Sequence, residues 1–262
     1  MQDEPLIIAG KTFRSRLIIG TGRYRSMEEQ AAAIESSGVE MITVAIRRLD
    51  LSNPQAKTLL DYIDWNKYWI LPNTAGAKTA EEAVFTARLA KEVTGSNWIK
   101  LEVQPDPSSL LPDPIGTLEA AIQLIKEGFV VLPYIGADPI LARRLEDAGC
   151  ATVMPLGSPI GSGQGILTLE EIRIIIENAH VPVVVDAGIG VPSDASLAME
   201  AGADACLVNT GIAQAVDPGL MGEAFRQGVE AGRKAYVAGR IPRKSMATAS
   251  SPVAGVPQAV GR

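Results

Sequence analysis

Apolar runs recur along this chain at a nearly constant spacing, and that recurrence constrains the fold more than any other feature. Eight of them, Leu17–Gly20, Met41–Ile46, Trp69–Leu71, Trp98–Val103, Phe129–Tyr134, Thr152–Leu156, Val183–Asp186 and Ala205–Val208, begin 22 to 31 residues apart. Each interval has room for one strand, one helix and two short loops, which is the size of a βα unit. A chain that alternates β and α eight times closes most economically into a (β/α)8 TIM barrel, an α/β fold in a single domain. An open doubly wound sheet is the structural alternative. Against it, the first run leads into Gly20-Thr21-Gly22-Arg23-Tyr24-Arg25, which lacks the G-x-G-x-x-G spacing of a dinucleotide-binding turn.

The segments between the runs carry helix punctuation. Ser26 is expected to cap Met27–Ser37, with Glu28 and Glu29 in the first turn and Gly38 closing it. Thr79 precedes Ala80–Val93, with Glu81 and Glu82 at the positive end and Gly95 beyond. Asp138-Pro139 opens a helix that stops at Gly149. Thr168 with Glu171 reads as a capping box for Leu169–Asn178, and Ser193 precedes a helix over Asp194–Ala201. Residues 1–240 are therefore expected to form the barrel. Residues 241–262, rich in Ala, Ser, Pro and Gly without periodicity, are expected to form a partly flexible tail.

Composition narrows the function. The 24 basic and 30 acidic residues leave a net charge of −6, against the basic stripe that nucleic acid requires. One histidine and two cysteines are too few for a structural zinc site, which needs four N or S ligands. Cys150 and Cys206 sit among small apolar residues and read as buried free thiols. Met1-Gln2-Asp3-Glu4-Pro5 carries acid where a signal peptide carries Lys or Arg, and no run approaches 18 apolar residues. A cytoplasmic protein without membrane association is the expectation.

The segment Trp98-Ile99-Lys100-Leu101-Glu102-Val103 is the most informative chemically. Strand side chains alternate, so Ile99, Leu101 and Val103 share one face while Lys100 and Glu102 share the other. Helices cover the outer face of a barrel, which assigns Lys100 and Glu102 to the interior near the C-terminal mouth, where barrel enzymes place their chemistry. A desolvated lysine is expected to have its pKa lowered toward neutrality, so that its amine can attack a carbonyl and form an imine. Glu102 would supply the acid/base partner. A structural Lys–Glu ion pair is the competing reading. Asp186, which ends the seventh run, also faces the mouth, with helix capping or a loop salt bridge as its alternative.

Three late loops are rich in glycine and hydroxyls: Gly157–Gly165, Ala187–Gly190 and Asn209–Ala213. Exposed amides in such turns attract phosphate, and barrels place that site after strands seven and eight. No Walker pattern accompanies them, which favours a phosphorylated metabolite over a nucleotide.

These motifs together resemble a known family. The residues Leu17-Ile18-Ile19-Gly20-Thr21-Gly22-Arg23-Tyr24, Leu71-Pro72-Asn73-Thr74-Ala75-Gly76, Trp98–Val103, Pro155–Ser162, Val185–Gly190, Asn209-Thr210 and Met246–Pro252 are similar to those of bacterial thiamine thiazole synthases, the ThiG family, over nearly the full length. The resemblance implies condensation of 1-deoxy-D-xylulose 5-phosphate with dehydroglycine and with sulfur delivered as a thiocarboxylate on the carrier ThiS. It implies that Lys100 forms the imine, that Glu102 and Asp186 move protons, and that Gly161, Ala187, Gly188, Asn209 and Thr210 hold the phosphorylated substrate. It implies no metal or flavin cofactor, a homotetramer, and dehydroglycine from the glycine oxidase ThiO or the radical tyrosine lyase ThiH. A fused glycine oxidase would not fit within 262 residues. Two readings compete: another imine-forming barrel of aldolase or pyridoxal phosphate synthase type, and a non-catalytic barrel that binds a phosphorylated ligand.

Overall fold

Alternation along eight short parallel strands sets the architecture. The structure, a computed structural model, describes residues 3–48 and 63–250. A hairpin of β1 (Leu6–Ile8) and β2 (Lys11–Phe13) comes first. The chain continues through β3 (Leu17–Gly20), α1 (Met27–Ser37), β4 (Met41–Ala45), β5 (Trp69–Asn73), α2 (Ala80–Thr94), β6 (Trp98–Leu101), α3 (Pro114–Lys126) and β7 (Val130–Ile135). It ends with α4 (Pro139–Ala148), β8 (Met154–Pro155), α5 (Leu169–Asn178), β9 (Val184–Asp186), α6 (Pro192–Glu200), β10 (Ala205–Val208), α7 (Thr210–Ala213) and α8 (Pro218–Ala238). The sheet order is β8-β7-β6-β5-β4-β3-β10-β9 with parallel neighbours. The parallel bridges Val153↔Val183 and Leu156↔Asp186 join its two ends. The result is the expected single-domain (β/α)8 barrel.

Helix starts follow local chemistry. The Ser26 hydroxyl accepts from the Glu29 N–H at the start of α1, and Gly38 closes the helix at φ 60°. Thr79 caps α2 in the same way, through the Glu82 N–H. Two expectations need correction. The Thr168 hydroxyl does not cap α5; it donates to the Leu156 carbonyl at 2.7 Å and ties the helix to the end of β8. Helix α6 begins at Pro192 rather than Asp194, because the Asp194 carboxylate accepts the Gly190 and Val191 N–H groups at 2.9 and 3.1 Å and proline presets the first turn. The helix expected between the second and third runs lies outside the described residues. The hairpin, α3, α7 and α8 add to the elements that sequence punctuation singled out.

Two apolar clusters divide the core. Outward-facing strand residues such as Ile42, Ile99, Leu101, Val131 and Val185 pack under the helices. Inside the barrel, Ile18, Met41, Leu71, Trp98, Leu132, Met154 and Val184 form the lower layers, and Leu6, Ile8 and Phe13 of the hairpin plug the bottom against them. Trp98 meets the edges of Phe13 and Trp69 at ring separations of 6.3 and 5.2 Å. Cys150 and Cys206 are buried and unpaired, as expected. Residues 239–250 carry no regular element and are exposed. No helix among the described residues is long and apolar enough to cross a membrane.

Candidate active site

The barrel interior turns polar one step above its apolar plug. On the inner face Met41 is followed by Thr43, Leu71 by Asn73, Trp98 by Lys100, Leu132 by Tyr134 and Val184 by Asp186. All five upper residues are buried. Buried polar groups persist only where partners satisfy them.

Lys100 is the hub. Its ammonium lies 2.7 Å from Glu102 Oε1 and 2.8 Å from Asp186 Oδ2, with all three side chains about 5% exposed. It also stands 5.2 Å from the centroid of the Tyr134 ring, within the range of a cation–π contact. Glu102 is fixed from two sides. Its backbone N–H donates to Thr74 Oγ1 and its carbonyl accepts from the same hydroxyl, both at 2.8 Å. Gln104 Nε2 donates to the other carboxylate oxygen at 3.0 Å. Asn73 is held similarly, donating to Thr43 Oγ1 at 3.0 Å.

This geometry reverses one expectation. Burial pulls the Lys100 pKa down, but the charges of Asp186 and Glu102 outweigh it, and the group sits above the ordinary lysine value. The amine is an ammonium at rest and needs a proton acceptor before it can attack anything. Asp186 is suited to that role, since burial lifts its pKa against the opposing pull of Lys100. The Tyr134 hydroxyl is pushed up by burial, then by Asp186 and Glu102, and has no hydrogen-bond partner among the described residues.

Above this centre the loops enclose a cavity of about 970 Å³. Lys100, Glu102 and Asp186 line its floor, and Gly161, Ala187, Gly188, Asn209 and Thr210 line one wall, so the structure brings all eight sequence candidates to one chamber. The wall depends on a tight turn after β9. Ala187 and Gly188 adopt φ of 62° and 76°, and a Cβ on Gly188 would sit 2.7 Å from the Ser158 backbone nitrogen. The Gly157 N–H donates to the Asp186 carbonyl and the Gly165 N–H to the Gly188 carbonyl, both at 2.9 Å, which binds the β8 and β9 loops together.

Sequence reasoning missed Thr74, Gln104 and Tyr134. Tyr134 lies in a run that is apolar on both faces, so parity alone could not assign it. Gln104 continues the alternation of Lys100 and Glu102, a signal that was available.

A buried ammonium between two carboxylates, beneath glycine-rich turns, can exchange protons at a nitrogen nucleophile while the turns hold an anion. Fold and site together define the class: a (β/α)8 barrel enzyme working at its C-terminal mouth. The family described as thiazole biosynthesis protein ThiG matches residues 7–252, and the chain belongs to this family. A thiazole synthase from Syntrophobacter fumaroxidans (strain DSM 10017 / MPOB) is 62% identical over 253 residues, covering 97% of this chain and 98% of the relative. The bifunctional protein ThiO/ThiG of Nostoc sp. (strain PCC 7120 / SAG 25.82 / UTEX 2576) is 60% identical over 97% of this chain, and the chain spans 40% of its length. Among solved structures, the Amycolatopsis orientalis BexX/CysO complex superposes with a TM-score of 0.84 at 36% identity, covering 93% of this chain and 100% of the matched chain.

Proposed function

We propose that the chain is a thiazole synthase that joins 1-deoxy-D-xylulose 5-phosphate, dehydroglycine and a carrier-borne thiocarboxylate into a thiazole phosphate carboxylate. The observation that carries this is the buried Lys100, held between Glu102 and Asp186 at the floor of the cavity.

The chemistry follows from the charges. Lys100 passes a proton to Asp186, and the freed amine adds to the substrate ketone while the oxygen takes up a proton. The carbinolamine then loses water, its hydroxyl leaving with a proton returned by a carboxylic acid, to give the imine. The protonated imine draws electrons from the neighbouring carbon, so that Glu102 or Asp186 can remove a proton there for the later rearrangement and dehydration. The turns bearing Gly161, Ala187, Gly188, Asn209 and Thr210 receive the phosphorylated substrate. Residues 1–240 are the catalytic barrel on this reading, and residues 241–262 a tail outside it.

Partners follow from the relatives. The BexX structure is of a complex with CysO, which supports docking of a small carrier such as ThiS on this barrel. ThiO and ThiG share one chain in the Nostoc relative, which supports a ThiO-type oxidase, rather than ThiH, as the source of dehydroglycine. A homotetramer working in the cytoplasm completes the proposal. Its test is borohydride trapping with 1-deoxy-D-xylulose 5-phosphate, followed by peptide mass spectrometry. The adduct is expected on Lys100 and absent in Lys100→Ala. An adduct on another lysine, or thiazole formation by Lys100→Ala, would overturn it.

A further inference from the structure

We propose that Arg23 is the cation that receives the phosphate of the substrate, a role that rests on the reading of the cavity as a phosphosugar site. Among the described residues, five that carry charge line the chamber: Arg23, Arg47, Lys100, Glu102 and Asp186. Lys100 is engaged by both carboxylates, so that floor carries a net negative charge and repels a phosphate. Arg47 donates to the Gly76 carbonyl at 2.8 Å, on the side of the mouth formed by the β4 and β5 loops. Arg23 has no hydrogen-bond or ion-pair partner among the described residues, whereas its neighbour Arg25 is held by Glu29 and by the Val216 carbonyl at 2.9 Å.

Topology puts Arg23 beside the glycine-rich wall. Its loop follows β3, which pairs with β10, and the preceding Gly20 packs against the Asn209 side chain. Among the described residues, Arg23 is also one of four non-glycine residues with positive φ, at 72°, a conformation that disfavours any side chain. Glycine would sit there without strain. A guanidinium kept at a strained position, unpaired, over a chamber whose floor is negative is placed for an incoming dianion, and its planar fork matches phosphate oxygens.

The test separates this role from stability and from the imine itself. Arg23→Gly relieves the backbone and is expected to keep or raise the melting temperature. It is expected to raise the concentration of 1-deoxy-D-xylulose 5-phosphate needed for half-maximal trapping of Lys100 by about tenfold or more. Arg23→Lys is expected to restore part of that loss. Unphosphorylated 1-deoxy-D-xylulose is expected to be trapped equally by wild type and Arg23→Gly. Unchanged half-saturation with the phosphorylated sugar, or equal losses with both sugars, overturns the assignment. If wild type traps nothing on Lys100, the imine reading falls and calorimetric titration with inorganic phosphate decides Arg23 alone: weaker binding by Arg23→Gly supports it, and equal binding overturns it.

Discussion

Gly20 lies so close to Asn209 that a Cβ at position 20 would stand 2.6 Å from Asn209 Cβ. The top of β3 therefore has no room for a side chain, because that space belongs to the residue that follows β10. Gly20→Ala is expected to push Asn209 outward, lowering stability by about 1–3 kcal/mol through overpacking. It is also expected to raise the half-saturating phosphosugar concentration about tenfold, since Asn209 lines the cavity wall. Thermal melts and substrate titration read the two effects. An unchanged titration would remove Asn209 from the substrate contacts.

Removing the central cation leaves two buried carboxylates facing each other. Lys100→Met is expected to cost about 3–5 kcal/mol at neutral pH. The cost shrinks in acid, and the sign follows from Asp186. Its pKa is already raised in the folded chain by burial, and losing the lysine raises it further. The folded variant then holds a proton that the unfolded chain releases, so its stability rises as pH falls from that raised value toward the ordinary aspartate value of about 3.9. Urea unfolding at pH 7.5 and 5.5 measures the difference. A gap from wild type that does not change with pH would contradict proton uptake by Asp186.

On the proposed mechanism, imine formation requires Asp186 in its ionised form to accept the lysine proton. Trapping by wild type is therefore expected to fall in acid with a midpoint above about 3.9, in keeping with the upward shift of this group. Asp186→Asn is expected to abolish that acid limb and slow trapping by about 10²–10⁴-fold. An identical limb in the variant would assign the proton transfer elsewhere.

The two cysteines are inert in the folded chain. Burial pushes both thiols up to about 12, and Cys206 Sγ lies 3.8 Å from the Ala195 carbonyl. A colorimetric thiol reagent is expected to detect none in minutes under native conditions and two after denaturation. A Cys150→Ala/Cys206→Ala variant is expected to incorporate sulfur normally, because on the proposed function sulfur arrives on the carrier. Loss of sulfur transfer without loss of fold would place a persulfide on this chain.

The spacing of apolar runs made the barrel legible, since strand and helix periods are local properties. The parity of Trp98–Val103 placed Lys100 and Glu102 inside for the same reason. The charge state of Lys100 was not legible. It depends on Asp186, which reaches the lysine only because β9 lies across the closed barrel. The span of α5 was legible but its Thr168 cap was not, since that hydroxyl bonds back to the Leu156 carbonyl, and the start of α6 moves to Pro192 because Asp194 takes the N–H groups that precede it. The β1–β2 hairpin escaped because three-residue strands are too short to display alternation.

The joint between β8 and β9 sets how the ring behaves as a mechanical object. Five residue pairs zip β4 to β5, whereas isolated bridges at Val153↔Val183 and Leu156↔Asp186 close the ring on the far side. This is one of two lightly fastened seams in the hoop, the single Asn73↔Lys100 pair between β5 and β6 being the other, and Asp186 is one of its fasteners. The circumference of the barrel and the reach of Asp186 toward Lys100 are therefore one adjustable dimension, and any push on the β8 and β9 loops is felt at the Asp186 carboxylate.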